Sequence, residues 1–297
     1  MQLQGPVYVY SGEGAWDLSV DLTCHMLEKV IDGRSIKRVD SLGELSGQTQ
    51  LLVIPGGSYT DMYSELLRVD EKVQKYVSSG GKYLGICAGA ILASDRRIGK
   101  PKSILGADVE IQDLHRQGFL YERESIQVLH PFSFHRAGCI APHIVRNSKE
   151  AGSIENLCAV DVFFEGNVEP FKAFHYSGPV FFDVPKDVKV LVRYRDPLYL
   201  QKVRRIYDRA TNSSIFTKLE ELIYEEAPVA AFSGSCGLGR FVLTGIHPEI
   251  DCNDFASFAE TRGFGYPLPV ELATSELYRE EFVSKIFLEL DLEGRSV

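Results

Sequence analysis

Short apolar runs, each stopped by glycine or proline, alternate early in the chain with segments whose apolar residues recur every three or four positions. Pro6-Val7-Tyr8-Val9-Tyr10 is a compact strand, and Leu18, Leu22, Met26, Leu27, Val30 and Ile31 then follow at helical spacing. Ser35 to Val39 predicts a second strand. Gln50-Leu51-Leu52-Val53-Ile54 predicts a third, apolar throughout and therefore central in a parallel sheet whose two faces are both covered. Asp61 to Ser79 predicts a helix with Leu66, Leu67, Val73 and Val77 on one face, and Ser78-Ser79-Gly80-Gly81 breaks it. Lys82 to Ile86 is a fourth short strand, entering a brief helix that ends near Asp95.

The rhythm is irregular from Gly99 to about Gly152. Leu157 to Phe164, Phe171 to Tyr176, Pro179 to Asp183 and Val188 to Tyr194 then alternate between turn residues, which predicts antiparallel strands forming a β-rich layer at one edge. The polar stretch from Asp196 to Glu226, with Leu219, Leu222 and Ile223, reads as helix-prone. Val229 to Ser233 and Arg240 to Gly245 are two further strands across a glycine-rich turn. Thr274 to Leu292 reads as a closing amphipathic helix, with Thr274-Ser275 and Glu276 as its cap.

At 297 residues, 44% hydrophobic and 25% charged, the chain fills one large or two modest cores. A net charge of -9 argues against a nucleic-acid partner, since phosphate recognition needs a concentrated positive field. No apolar run approaches the ~20 residues that span a bilayer, and no signal segment is evident, so the expectation is a cytoplasmic protein without a membrane partner. The six cysteines form no CxxC pair and read as reduced thiols.

The chemistry centres on Gly85-Ile86-Cys87-Ala88-Gly89. A strand delivers a cysteine into a tight turn that opens a helix, with a glycine on each side at the spacing of a nucleophile elbow. Cys236, in a hairpin without a helix behind it, is the weaker rival. Pro55-Gly56-Gly57 ends a central strand, and the residues alone leave two readings open: backbone N–H groups offered to a ligand, or a plain turn. Ser11-Gly12-Glu13-Gly14 reads as a tight turn whose backbone faces a pocket; it lacks GxGxxG, and no cofactor is expected. His115, His130, His135, Cys139 and His143 have neither the paired spacing of a zinc site nor an HExxH helix, so no metal is expected either. His247-Pro248-Glu249 places an imidazole and a carboxylate two apart at a strand end, on one side of the chain.

Together, Gly85-Ile86-Cys87-Ala88-Gly89, Pro55-Gly56-Gly57 and His247-Pro248-Glu249 resemble class I glutamine amidotransferase-like proteins. More narrowly, these motifs with Val9-Tyr10-Ser11-Gly12 and Leu243-Thr244-Gly245-Ile246 are similar to the amidotransferase-like N-terminal domain of eukaryotic-type biotin-protein ligases, which also occurs free-standing. The resemblance covers roughly residues 5 to 250 and is weak from about 96 to 170. It implies an α/β, flavodoxin-like, mostly parallel sheet with flanking helices and a β-rich elaboration. Residues 1–250 would form this domain, with the elaboration at about 105–195 and a helical insertion at about 197–226, and 251–297 would be a C-terminal helical extension packed on it. Cys87 would be the nucleophile, His247 the base, Glu249 its orienting acid, the N–H groups of Gly57 and Ala88 the oxyanion hole, and Gly12 and Gly56 substrate-binding positions. Ile91 stands where such glutaminases commonly carry glutamine, and the Gly-Arg-Gly-Arg-type biotin loop is missing, so the chain is not by itself a biotin ligase. The expected activity is that of a cysteine-dependent hydrolase or amidotransferase-like enzyme acting on a small-molecule amide or acyl substrate, with a protein partner as a further expectation. The competing expectation is a catalytically silent binding or regulatory module.

Overall fold

A computed structural model of the chain describes residues 5–31, 36–94, 138–140, 157–182, 184–195, 198–202, 218–222, 227–261 and 269–292. Strands β1 (Val7–Tyr10), β2 (Ile36–Val39), β3 (Leu51–Ile54) and β4 (Lys82–Ile86) alternate with helices α1 (Asp17–Val30), α2 (Tyr59–Leu66) and α3 (Asp70–Ser78), and α4 (Ala88–Leu92) follows β4. After β5 (Gly138–Ile140) come β6 (Leu157–Phe164), β7 (Phe171–Tyr176), β8 (Val180–Phe182), β9 (Lys189–Tyr194), β10 (Leu198–Lys202), β11 (Lys218–Leu222), β12 (Val229–Cys236) and β13 (Gly239–Thr244). Helices α5 (Cys252–Thr261) and α6 (Glu276–Glu289) complete the described chain.

One mixed sheet runs in the order β2-β1-β3-β4-β13-β12-β9-β6-β7. From β2 to β13 every pairing is parallel. From β13 to β7 every pairing is antiparallel. The β-rich layer expected at one edge is therefore the antiparallel half of the same sheet, with β8 and β5 branching from β12. Helices join β1 to β2 and β3 to β4 in the parallel half, and hairpins join β6 to β7 and β12 to β13 in the antiparallel half.

Strands β1 and β3 are buried along their whole length and β4 and β13 nearly so, while the edge strand β2 is partly exposed, and the buried side chains alternate between two cores. Val7, Val9, Leu51, Val53, Leu84, Ile86 and Val242 face one core, closed by α1 and by Phe282, Val283, Ile286 and Phe287 of α6. Tyr8, Tyr10, Leu52, Ile54, Tyr83, Phe241 and Leu243 face the other, closed by Met62 and Leu66 of α2, Val73 and Val77 of α3 and Leu92 of α4. The flavodoxin-like α/β arrangement expected from the motifs is what the chain adopts. No described helix is long and apolar enough to cross a membrane.

Three expectations need correction. The helix read from Asp61 to Ser79 is two helices separated by a 3-10 turn at Leu67–Val69, and Asp70 restarts the chain by accepting the N–H of Glu71 at 2.6 Å. The stretch 197–226, read as a helical insertion, begins and ends in strands: β10 and β11 pair antiparallel from Leu198↔Leu222 to Lys202↔Lys218. Leu198 and Leu200 alternate with Tyr199 and Gln201, a strand pattern that the surrounding charge obscured; the middle of the stretch lies outside the described residues. The closing helix starts at Glu276, and Ser275 makes no side-chain cap, because its Oγ accepts the N–H of Lys172 in β7 at 2.8 Å.

Candidate active site

At the carboxyl end of β4 the chain turns through Cys87 with φ 51° and ψ -108°, a conformation that costs a non-glycine residue about 1–3 kcal/mol. The neighbours explain the flanking glycines. A Cβ on Gly85 would lie 2.7 Å from the Gly89 carbonyl oxygen, and one on Gly89 would lie 2.1 Å from that of Ile54. The elbow is folded so tightly against β3 that only hydrogen fits at either place. Cys87 N–H donates to the Thr244 carbonyl at 2.8 Å, tying the elbow to the end of β13. The Cys87 carbonyl accepts from Ala90 at 3.0 Å and Ile91 at 3.1 Å, which starts α4 and leaves the N–H of Ala88, at the first helical position, without a partner inside the helix. The thiol is 6% exposed and donates to the Tyr176 carbonyl at 3.6 Å.

Just past β13 the chain brings His247 beside the sulfur. Its backbone N–H donates to the Phe174 carbonyl at 2.9 Å, and its ring stands edge-on to Phe174 and Trp16, with centroids 5.6 and 6.0 Å apart. Nδ1–H donates to Oε1 of Glu249 at 2.7 Å, and both side chains are wholly buried. Burial alone pulls the imidazole pKa down. The Glu249 charge, hydrogen bonding with the Cys87 sulfur and with Glu249, and the charge on that sulfur outweigh it and raise the pKa to about 10. Nε2 is buried and has no hydrogen-bond partner among the described residues.

The diglycine loop supplies the third wall. Trp16 N–H donates to Gly56 O at 2.9 Å and Ser58 N–H to Gly14 O at 2.7 Å, the pattern that flanks a non-hydrogen-bonded Ala15↔Gly57 pair. The N–H of Gly57 consequently points away from Ala15. Gly56 differs from the expectation. Its N–H is spent on Ser19 Oγ at 3.0 Å, and a Cβ on it would lie 2.7 Å from Cε1 of His247, so its contribution to the site is a missing side chain rather than a free donor. Gly12 is pressed against the Asp40 carbonyl and the Tyr10 hydroxyl, and the turn from Gly12 O to Ala15 N–H, at 3.1 Å, links it to the bridge with Gly57.

Sequence reasoning missed Ser19, whose Oγ–H donates to Glu249 Oε1 at 2.6 Å. It also missed the Tyr176 carbonyl, Phe174 and Trp16. Nothing local marked Ser19, and a backbone carbonyl has no sequence signature. Cys236, the weaker rival, is half-buried, and burial raises its thiol pKa. Cys139 is fully buried with its pKa raised to about 12 by that burial; His115, His130, His135 and His143 lie outside the described residues. Among the described residues no cluster of His, Cys, Asp and Glu is built to hold a metal.

A family model described as "Biotin-protein ligase, N terminal" matches residues 6–112 and 122–296. The pyridoxal 5'-phosphate synthase subunit PdxT of Thermosipho africanus is 33% identical over 91 residues, 29% of this chain and 46% of the relative. PdxT of Nitrosopumilus maritimus is 35% identical over 117 residues, 37% of this chain and 50% of the relative, so the chain spans about half the length of the curated relatives it matches. A crystal structure of a glutamine amidotransferase aligns over 87% of this chain and all of its own, with a TM-score of 0.46 and 20% identity. The narrower of the two resemblances read from the motifs is the one the family model matches: the chain belongs to the biotin-protein ligase N-terminal family.

Proposed function

We propose that this chain is a cysteine-dependent hydrolase or amidotransferase-like enzyme acting on an amide or related acyl group through Cys87, His247 and Glu249. One observation carries the reading: the buried His247–Glu249 pair, 2.7 Å apart, lies near enough to the sulfur of a strained elbow for that sulfur to help raise the imidazole pKa, and Nε2 has no other partner among the described residues. With Glu249 holding Nδ1–H and the imidazole pKa raised to about 10, Nε2 holds the proton given up by the thiol. Cys87 Sγ then forms a bond to the acyl carbon, and the carbonyl electron pair moves onto oxygen, where the N–H groups of Gly57 and Ala88 receive it. Collapse expels the amine, which leaves with the proton from Nε2. Water, or an acceptor amine, attacks the thioester, gives its proton to Nε2 and releases Cys87. Gly56 leaves room for the His247 ring, and Gly12 orders the loop that faces the pocket.

A second reading has an observation behind it. The thiol is almost covered and hydrogen-bonded to the Tyr176 carbonyl, as suits a silent module that binds at this pocket or docks a partner. The relatives' description as synthase subunits supports a protein partner under either reading. Iodoacetamide at neutral pH separates the two. The enzyme reading expects Cys87 to be labelled at least tenfold faster than the other thiols, with the advantage lost in His247→Ala. Equal, slow labelling of all thiols would leave only the silent module.

A further inference from the structure

The polar contacts around Glu249 converge from two directions on a single oxygen. His247 Nδ1–H and Ser19 Oγ–H both donate to Oε1, at 2.7 and 2.6 Å, while Oε2 is buried with no partner among the described residues. Ser19 itself is wholly buried in α1, and its hydroxyl oxygen accepts the N–H of Gly56 at 3.0 Å. The three groups form one directional chain: a peptide N–H donates to a hydroxyl, and the hydroxyl donates to a carboxylate. Each link polarises the next, and all three groups are buried.

We infer that Ser19 is a positioning residue that holds the acid and the diglycine loop in one arrangement. This rests on the reading of Cys87, His247 and Glu249 as a triad. Without Ser19, Glu249 keeps one hydrogen bond, to a ring that rotates with it, so neither partner fixes the other's direction. The Gly56 N–H loses its acceptor as well, and the turn through Pro55, Gly56 and Gly57 follows, because the peptide that carries the Gly57 N–H begins at Gly56. Trp16 adds a reason why α1 is the right support. Its N–H binds the Gly56 carbonyl at 2.9 Å, so the first turn of α1 and the residue before it grip both polar groups of Gly56. A hydroxyl is the side chain this place requires, since it both donates and accepts; a thiol does both weakly and an amide is larger.

The test uses the full chain as wild type, Ser19→Ala, Ser19→Thr and His247→Ala, each checked for native circular dichroism. Two signals are read: the far-downfield proton resonance of the hydrogen-bonded His247 Nδ1–H, absent in His247→Ala, and the rate of Cys87 alkylation by iodoacetamide at pH 7. Ser19→Ala should move or broaden the proton resonance and slow alkylation about tenfold, roughly the loss of one hydrogen bond to a charged group. Ser19→Thr, which keeps the hydroxyl, should restore both. A Ser19→Ala resonance identical to wild type overturns the inference whatever the alkylation rate. Wild-type alkylation indifferent to His247→Ala instead overturns the triad reading, and the resonance still decides whether Ser19 holds Glu249.

Discussion

Gly89 and Cys87 are opposite answers to one steric problem. Cys87 accepts a positive φ so that its side chain stands clear at the strand end, and Gly89 gives up a side chain so that the returning helix can pass the Ile54 carbonyl. In Gly89→Ala the new carbon would sit 2.1 Å from a backbone oxygen that cannot swing aside. The variant should lose about 3 kcal/mol, read as a urea midpoint lower by about 1–2 M. His247 makes a prediction in pH. Its pKa, ordinarily 6.5, is raised to about 10 in the folded chain because Glu249 and the sulfur outweigh burial. The folded state therefore binds this proton more tightly than the unfolded state does. The stabilisation is complete below about pH 6.5 and is lost as pH rises toward 10, on the order of a few kcal/mol over the window. Urea midpoints measured from pH 6 to 10 should fall in the wild type, and that share of the slope should vanish in His247→Gln. Cys87, His247 and Glu249 were legible because each sits in a motif whose neighbours announce it: glycines at fixed offsets, or an acid across a proline. Ser19 was not, because its meaning comes from groups 37 and 230 positions away.

At the scale of elements, legibility followed burial. The strands β1, β3 and β4 are enclosed on both faces, so their apolar runs had no competing explanation, and the reading placed them within a residue or two. The antiparallel strands β6, β7 and β9 were found by alternation, since one of their faces is less covered. Errors fell where helical and extended spacing coincide. Leu219 and Leu222 are three apart, which suits a helix face, yet they belong to β11. Ser275 looked like a cap because Glu276 follows it, but an oxygen near a helix start serves whichever N–H reaches it first, and Lys172 of β7 does. Pairing across the sheet was invisible for the same reason: the parallel union of β13 with β4, on which the site depends, leaves no trace in either strand's own residues.

For the molecule as a whole, α6 closes one of the two cores. Phe282, Val283, Ile286 and Phe287 are buried against the sheet, and Arg279 reaches back to the carbonyl of Pro248 at 2.9 Å and to Asp251 at 3.0 Å. Lys29 of α1 binds the same Asp251 at 2.8 Å; burial pushes that carboxyl up, but the two cations hold its pKa below the ordinary value. A chain ending at Ser275 would lose four large buried side chains, each contributing about 1.5–3 kcal/mol, and expose the sheet face they cover, against a total stability of about 5–15 kcal/mol. It should lose cooperative thermal unfolding and near-ultraviolet circular dichroism while keeping much of its secondary structure.

The hydrogen bond from Cys87 N–H to the Thr244 carbonyl places sulfur and imidazole on a common mount, since Thr244 lies just upstream of His247. Movement of β2 and β1 at the parallel edge leaves the spacing of nucleophile and base intact, because neither strand bonds to this mount. β7, at the antiparallel edge, reaches the same mount, its Phe174 carbonyl taking the His247 N–H and its Tyr176 carbonyl the thiol, so changes in that half bear on the chemistry wherever they move β7.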